Sequence, residues 1–353
     1  IDTCAGCGLC STVCPVQINT GDLIRDLRHK RNASHSNMAQ WAADHFGSLA
    51  SAARTAFGIA DGSHRLLGSK AMGAVTRSAR KLSGNRIGHW SPSTPTAAPK
   101  IPAPQRIATD TPTDDRDQKL KVVYLPSCAS RTMGPARGTE FQQSLQQVTE
   151  KLLQRAGYEV IYPAGLGDQC CGMPFKSKGM FDQAEQKAEQ TLAMLNDASQ
   201  QGEIPIYCDT SPCVMRLKEH MAEQNSTLKL FEPVEFIHSY LLDRLSFQKQ
   251  SEPVALHITC SARRLGLTDK TLAIMQACSD NVVVPEQITC CGFAGDKGFT
   301  TPELNASALS TLAEQVGHCD SGYSTSRTCE IGLSEHSGID YQSIVYLVDR
   351  CSA

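Results

Sequence analysis

Four cysteines at the start of the sequence are spaced so that they can share one metal cluster. Cys4, Cys7, Cys10 and Cys14 follow the pattern C-x2-C-x2-C-x3-C, and Pro15 comes directly after the last of them. This is the run found in bacterial ferredoxins, in which thiolates hold the iron of a [4Fe–4S] cluster. The chemistry that the motif predicts is one-electron transfer.

Other interpretations of this run remain open. A structural zinc site is the main alternative, although such sites usually use two cysteine pairs with a longer gap. A disulfide knot would suit a secreted protein, but no secretory signal marks this sequence. In two-cluster ferredoxins the fourth cysteine of a run serves the other cluster. Cys14 therefore either completes the cluster of Cys4 or serves one whose other ligands lie upstream. The abrupt start at Ile1 favours the second, and we expect the sequence to be part of a longer protein.

Two further motifs place adjacent cysteines before a glycine, at 170–172 and 290–292. Adjacent cysteines rarely bridge each other, but both can face one cluster if the glycine allows a tight turn. Each motif is flanked by one more cysteine on either side. Buried structural cysteines are the alternative, but two motifs in register favour clusters. The predicted ligands are Cys128, Cys170, Cys171 and Cys213 in one half, and Cys260, Cys290, Cys291 and Cys329 in the other.

Several neighbouring residues receive a less specific interpretation. His257 is either a core residue or a cluster ligand, and a core residue is the favoured interpretation. The cysteines outside the repeat are interpreted as free core or surface thiols, although Cys208 is close enough to Cys213 in sequence to replace it as a ligand. These remaining cysteines are Cys208, Cys278, Cys319 and Cys351.

The elements that must position these thiols are strands alternating with helices. The apolar pattern predicts strands at 122–125, 158–162, 204–208, 254–259 and 282–284, with helices at 184–195 and near 272–278. This order predicts βαβ units in a mostly parallel α/β fold. The same order occurs twice, which indicates two similar lobes from an internal duplication. The thiols follow strands, so we expect them to meet at one end of each sheet.

The region before the lobes has a different amino-acid composition. Thr20 is predicted to cap a helix over 21–31, and the Ala-, Ser- and Gly-rich stretch 33–88 is predicted to form two or three helices. Six prolines between residues 91 and 112 indicate an extended linker. We therefore divide the chain into a ferredoxin-like helical segment (1–90), a linker (91–118), a first lobe (119–250) and a second lobe (251–353).

Composition excludes some classes of function. The chain has 353 residues, 16 cysteines and a net charge of -2, so it has no general attraction for nucleic acid. No apolar run approaches the 18 residues needed for a transmembrane helix.

The charges are unevenly distributed along the chain. Residues 19–90 carry 11 basic and 4 acidic side chains, whereas residues 91–353 carry 23 basic and 31 acidic side chains. The basic segment could face an acidic partner or an anionic membrane surface. The favoured interpretation is that it is a solvated face or matches the acidic lobes within the chain.

The paired cysteine pattern resembles the CCG domains found in heterodisulfide reductase and in anaerobic glycerol-3-phosphate dehydrogenase. Several short motifs resemble the C-terminal part of bacterial FAD and iron–sulfur D-lactate dehydrogenases. They lie at residues 2–10, 14–16, 19–21 and 328–333. That resemblance implies an upstream domain in which FAD oxidises a D-2-hydroxy acid. It also implies electron transfer to a membrane quinone or cytochrome from a cytoplasmic protein at the inner face of the cell membrane, with no catalytic residue on this chain.

The sequence departs from the CCG pattern in each half. That pattern usually ends in Cys-x2-Cys, but Thr210 and Ser326 stand where the first cysteine would be. Four thiols per half make a four-thiolate cluster the simpler expectation. The missing cysteine could also leave an open iron, as in a CCG-cluster protein that reduces disulfides or thiols. A segment of a D-2-hydroxyglutarate dehydrogenase and a zinc-bound scaffold are the remaining alternatives.

Overall fold

The computed structural model of the protein describes residues 1–85, 87–102, 120–137 and 143–353. It begins with a helical segment. The helices of this segment are α1 (Leu9–Val13), α2 (Thr20–Asn32), α3 (Ser36–Asp44) and α4 (Phe46–Leu82), with a 3₁₀ turn at Ala33–His35. Gly68 has non-helical torsion angles (φ 74°, ψ 167°), so α4 consists of two helical stretches. The prediction of two or three helices over 33–88 is confirmed.

The predicted cap of the second helix is wrong by one residue. Asn19, not Thr20, precedes the helix, and its Oδ1 accepts a hydrogen bond from the backbone N–H of Gly21 at 3.0 Å. The hydroxyl of Thr20 instead donates to Cys10 Sγ at 3.1 Å. Asn19, which caps the helix, and Thr20, which contacts Cys10, are therefore neighbours in the chain. The sequence alone did not distinguish their roles.

The described part of the proline-rich stretch contains no helix, as predicted, but it begins with a turn in which the N–H of Thr94 donates to Ser91 O at 3.0 Å, and it is not a free linker. Residues 91–102 run along lobe 1, where the N–H of Thr96 donates to Pro135 O at 3.2 Å and the N–H of Ala98 donates to Thr132 O at 3.1 Å. Ala97 also forms an isolated antiparallel bridge with Met133. The rest of the predicted linker, residues 103–118, lies outside the described residues.

Lobe 1 is a four-stranded parallel sheet in the order β2-β1-β3-β4, with helices around it. Its strands are β1 (Leu120–Leu125), β2 (Tyr158–Ile161), β3 (Ile206–Cys208) and β4 (Leu230–Phe231). Its helices are α5 (Cys128–Thr132), α6 (Leu145–Arg155), α7 (Met173–Lys176), α8 (Phe181–Ala198), α9 (Ser211–Glu223) and α10 (Pro233–Phe236), followed by a π-helix at Ile237–Leu241. The last four residues of β1, 122–125, are all buried, as expected for a strand covered on both faces.

Lobe 2 repeats this plan with the strand order β6-β5-β7-β8, again all parallel. Its strands are β5 (Val254–Leu256), β6 (Val282–Val283), β7 (Ser321–Ser324) and β8 (Tyr341–Ser343). Its helices are α11 (Cys260–Arg264), α12 (Thr268–Cys278), α13 (Lys297–Thr300), α14 (Pro302–Ala308), α15 (Leu312–Val316), α16 (Arg327–Ser337) and α17 (Ile344–Cys351). The predicted fold class, two similar α/β lobes after a helical segment, is confirmed.

The lobes share a large part of their apolar interior. A single hydrophobic cluster contains Val122 and Leu125 of lobe 1 together with Leu256 and Ile344 of lobe 2. A polar seam joins the strand ends, where the hydroxyl of Ser211 donates to Thr325 Oγ1 at 2.8 Å. The two sheets are therefore held together by both apolar packing and hydrogen bonds.

The helical segment contacts both lobes. His29 Nδ1 lies 2.7 Å from Gly179 O in lobe 1, and Arg80 donates to Phe299 O in lobe 2 at 3.1 Å. Arg137 of lobe 1 pairs with Asp61 of α4 at 2.8 Å. Basic side chains of this segment are thus partly used within the chain. Among the described helices, none is both long enough and apolar enough to cross a bilayer.

Candidate metal centre

The N-terminal cysteine loop is shaped by two glycines in the left-handed region. Gly6 has φ +63° and Gly8 has φ +77°, which are torsions that residues with a Cβ rarely adopt. The turn lets the backbone N–H of Gly6 donate to Cys4 Sγ at 3.3 Å. Helix α1 then begins at Leu9 and carries Cys10 toward Thr20. Local backbone geometry and the start of α2 therefore position Cys4 and Cys10.

Cys7 and Cys14 point to different surroundings. Cys14 lies in an open polar cleft whose lining includes Arg263 and Arg264 of lobe 2. Cys7 contacts the thiols of Cys260 and Cys290, also in lobe 2. Contacts with Cys260 and then Cys290 lower the pKa of Cys7. The loop therefore docks with one of its cysteines inside the second lobe's thiol site.

The predicted ligands of lobe 1 form one continuous chain of thiol contacts. Cys128 contacts Cys170, Cys170 contacts Cys171, and Cys171 contacts Cys213. Cys213 also contacts Cys208, which is fully buried at the end of β3. The sequence indicated Cys208 as a core thiol that could act as a ligand. The structure places its sulfur next to Cys213, as the fifth sulfur in this series of contacts.

The electrostatics of this pocket favour charge on one of the adjacent cysteines. Hydrogen bonds from Cys170 and then Cys213 hold the pKa of Cys171 well below its ordinary value, and the nearby guanidinium of Arg216 lowers it further. The contacts with Cys128 and Cys171 raise the pKa of Cys170 in turn. Thiolates, not thiols, ligate iron, so the pocket begins with one favoured anionic ligand.

The predicted ligands of lobe 2 come together around Cys7. Cys260 contacts Cys7, and Cys290 contacts both Cys7 and Cys291. The sulfur atoms of Cys291 and Cys329 are 2.9 Å apart. Sequence reasoning missed the inclusion of Cys7, because its spacing within the ferredoxin run gives no sign of which lobe the loop will contact.

Both glycines after the adjacent cysteines are required by their surroundings. Gly172 has φ +84°, and an added Cβ would lie 2.2 Å from Ala184 O. Gly292 has φ +68°, and its Cβ would lie 2.7 Å from Leu304 O. The sequence predicted a tight turn at these positions, and the structure shows that the turn also packs directly against a helix backbone.

The remaining residues singled out in the sequence lie away from the thiol chains. His257 is buried, its Nδ1 lies 3.2 Å from Ser324 Oγ, and burial lowers its pKa to about 4. It is a neutral core histidine, as favoured. Cys278 and Cys351 contact each other, which the sequence did not indicate. Cys319 is buried in the apolar cluster of lobe 2.

The donor set fits iron–sulfur clusters better than a single ion. Thiolates at 2.3 Å around one zinc would all lie within about 4.6 Å of each other. Within the described ranges, one group of at least three potential ligand atoms has all its members within 4.8 Å of each other. It consists of Glu185, His220 and Glu223 and contains no cysteine. Buried chains of sulfur ligands on converging strand ends suit a multi-iron centre, whose corners are spread more widely. The ligand assignment itself stays a prediction.

Comparisons with known proteins agree with the cysteine pattern. The family model described as the CCG cysteine-rich domain matches residues 122–218 and 254–330. Lactate utilization protein A of Oceanobacillus iheyensis is 24% identical over 189 residues, which is 50% of this chain and 75% of that protein. The protein of the same name from Bacillus licheniformis is 26% identical over 164 residues, 44% of this chain and 68% of that protein.

The C subunit of anaerobic glycerol-3-phosphate dehydrogenase from Escherichia coli K12 is 25% identical over 142 residues. That match spans 37% of this chain and 35% of the relative. Among solved structures, an aspartate racemase homologue from Pyrococcus horikoshii OT3 aligns over 66% of this chain and 96% of its own. Its TM-score is 0.26 at 8% identity, too low to support a conclusion about fold or function.

Proposed function

Because the chain carries two CCG cysteine-rich repeats beside a ferredoxin-type loop, we propose that it is the iron–sulfur electron-transfer segment of a flavin-dependent D-lactate, or D-2-hydroxy acid, dehydrogenase. In this proposal, FAD in an upstream domain of the same protein oxidises the hydroxy acid. The segment passes the electrons toward a membrane quinone or cytochrome at the inner face of the cell membrane.

The observation that carries the proposal is the contact of Cys7 with Cys260 and Cys290. Electron transfer between protein-bound centres falls steeply with distance, so sites that share a boundary exchange electrons readily. Here a residue of the N-terminal loop lies among the predicted ligands of lobe 2. This contact supports the proposal that a cluster at the loop and a cluster in lobe 2 are consecutive steps of one electron-transfer path.

Bound [4Fe–4S] clusters would supply reversible one-electron reduction in these sites. The chain's own residues hold and shield them. Cys170, Cys171 and Cys291 are each no more than 6% exposed, so the thiol pockets exclude most water. Arg28 fixes the loop by donating to Ser177 O at 2.7 Å and to Cys4 O at 2.6 Å.

The choice of lactate rests on resemblance. Two of the relatives are named for lactate utilization, and the opening motif resembles the D-lactate dehydrogenase group. Glycerol-3-phosphate is the competing substrate suggested by the third relative's name. On this chain the two proposals share the same electron-transfer chemistry, so the full protein must separate them.

The test uses the full natural protein, purified without oxygen and with its flavin. D-lactate should reduce both the flavin and the iron–sulfur signals in EPR spectra, whereas L-lactate and glycerol-3-phosphate should not. Replacing Cys7 by Ser should leave flavin reduction intact and slow cluster reduction in lobe 2 at least tenfold. The control Cys319→Ser, in the apolar core, should not slow it.

Three results would contradict the proposal. Reduction of the clusters by glycerol-3-phosphate but not D-lactate would assign a different dehydrogenase. Unchanged transfer in Cys7→Ser, with the iron content of the loop reduced, would show that the loop is not on the path. Reduction of a disulfide substrate by the protein, without any response to hydroxy acids, would favour the thiol reductase alternative.

A further inference from the structure

Arg216 is a fully buried cation beside the thiol pocket of lobe 1. Its side chain has no exposed surface, and it lies on α9 three residues after Cys213. Residues three apart on a helix lie on the same face. A guanidinium stays charged in proteins, and a buried charge is costly unless anionic groups or acceptors surround it. This position therefore calls for a nearby negative charge.

The described protein groups satisfy only part of this guanidinium. Its Nη2 donates to Glu185 Oε1 at 2.7 Å, but Nε and Nη1 are buried without a hydrogen-bond partner among the residues that the structure describes. Glu185 is 38% exposed, so water screens that ion pair. Two buried donors of Arg216 therefore remain without an acceptor among the described protein groups, on the helix that also carries Cys213.

Lobe 2 has no cation at the equivalent position. Gly332 lies three residues after Cys329, on the helix that corresponds to α9. A Cβ there would lie 2.4 Å from Asn305 Nδ2 and 2.8 Å from Phe293 Cδ2, so neutral side chains already fill the space. Lobe 2 does bury Arg327 on the same helix, but this guanidinium pairs with the buried carboxylate of Glu330 at 3.4 Å. The duplication has thus kept the thiols in both lobes but placed a buried cation three residues after the last thiol in lobe 1 alone.

Other arginines do not remove this difference. Arg131 and Arg263 each follow the first cysteine of their lobe by three residues, so they occupy matching positions. Arg264 lies on α11 of lobe 2, but its side chain is 25% exposed and pairs with Glu219 at 3.3 Å. Its guanidinium lies against Gly8 of the loop. Its charge is therefore screened by water and by a carboxylate.

We propose that Arg216 gives a cluster in lobe 1 a higher reduction potential than a cluster in lobe 2. A nearby buried positive charge favours the reduced form, which carries one more negative charge, and its effect is large where water is excluded. Since Cys7 meets lobe 2, electrons that enter there move energetically downhill into lobe 1. Arg216 would act through the electrostatic effect of its charge, without ligating the cluster. This inference rests on the proposed electron-transfer function.

The test is a potentiometric EPR titration of the iron-loaded protein under anaerobic conditions. Loss of one signal in Cys171→Ser and of another in Cys291→Ser assigns the two lobes. The charge-removing variant Arg216→Met should lower the potential of the lobe 1 signal by at least about 59 mV, equivalent to tenfold in the electron-exchange constant. The charge-keeping variant Arg216→Lys should retain most of the potential, and the lobe 2 signal should not move in either.

Glu185→Gln is the matched control, because it removes the exposed partner but keeps the cation. It should leave the lobe 1 potential unchanged or slightly raised. If Arg216→Met fails to hold its cluster while Arg216→Lys holds it, the need for the charge is still supported. Equal loss in both variants, or an unchanged potential in Arg216→Met, would overturn the proposal. These readouts use a chemical reductant, so failure with D-lactate would refute only the proposed function.

Discussion

Replacing Gly172 by Ala perturbs the turn that follows the adjacent cysteines of lobe 1. The φ of this residue is +84°, and the new Cβ would lie 2.2 Å from the carbonyl oxygen of Ala184 in the first turn of α8. Because that oxygen belongs to a helix backbone, it cannot rotate away as a side chain could. Relief therefore requires the turn to move, and Cys171 moves with it.

The magnitude can be worked out with matched glycines. A left-handed torsion costs an L-residue roughly 1–2 kcal/mol, and forcing atoms into a packed site adds about 1–3 kcal/mol. Gly172→Ala should then lower the free energy of unfolding by about 2–5 kcal/mol. Gly157 has φ +89° with nothing within 4 Å, so Gly157→Ala should lose only the first contribution. Gly62, inside α4 with open space around it, should gain up to about 1 kcal/mol as Ala.

Urea unfolding of the three variants, followed by circular dichroism, gives the stability differences, and iron analysis after anaerobic reconstitution gives the site effect. We expect iron bound in lobe 1 to fall in Gly172→Ala and to stay unchanged in Gly157→Ala and Gly62→Ala. If Gly172→Ala and Gly157→Ala were equally stable and bound equal iron, close packing of this turn would not be what positions Cys171.

Two further predictions concern buried charges. Burial raises the pKa of Glu232 to about 7. Because the folded state keeps this proton above the pH at which the unfolded chain loses it, the free energy of unfolding should fall by about 3 kcal/mol between about pH 4.5 and about pH 7. Because burial also raises the pKa of Glu330 to about 7, Glu232→Gln should reduce the slope of the parent protein in urea titrations but not abolish it, whereas the exposed control Glu203→Gln should leave it unchanged. An unchanged slope in Glu232→Gln would contradict the assignment. Arg28→Lys should expose residues 1–20 to proteolysis while the lobes stay resistant. The guanidinium of Arg28 also donates to Ile1 O at 2.8 Å, and one ammonium group cannot make all of these hydrogen bonds. Each hydrogen bond to a charged group is worth about 1.5–3 kcal/mol. Arg31→Lys, at an exposed ion pair, should be cleaved as the parent is, and equal cleavage of the Arg28 and Arg31 variants would show that Arg28 does not hold the segment.

The sequence predicted the parts of the fold that have local signals. Apolar runs marked β1, β2 and β5, and the repeated order of cysteines revealed the duplication. Strands β7 and β8 were not predicted, because Ser321–Ser324 and Tyr341–Ser343 are short and mostly polar and are defined by their pairing. Their burial comes from the tertiary structure, which single-sequence patterns do not contain.

The candidate site shows the same division. Spacing identified the twelve predicted ligands and the need for Gly172 and Gly292. It could not place Cys7 beside Cys290, because that contact joins residues far apart in the chain through docking of the loop. The position of Arg216 was also not recognised, since only the duplicated fold shows that Gly332 is its counterpart.

Among the residues that the structure describes, the apolar cluster and the Ser211–Thr325 seam pack the two lobes directly against each other. Many redox proteins carry their centres on mobile arms that swing between donor and acceptor. In this chain the gap between the two cysteine pockets is instead set by continuous packing, and little nuclear rearrangement should accompany each electron's passage. A design that lengthened this gap would have to rebuild a core.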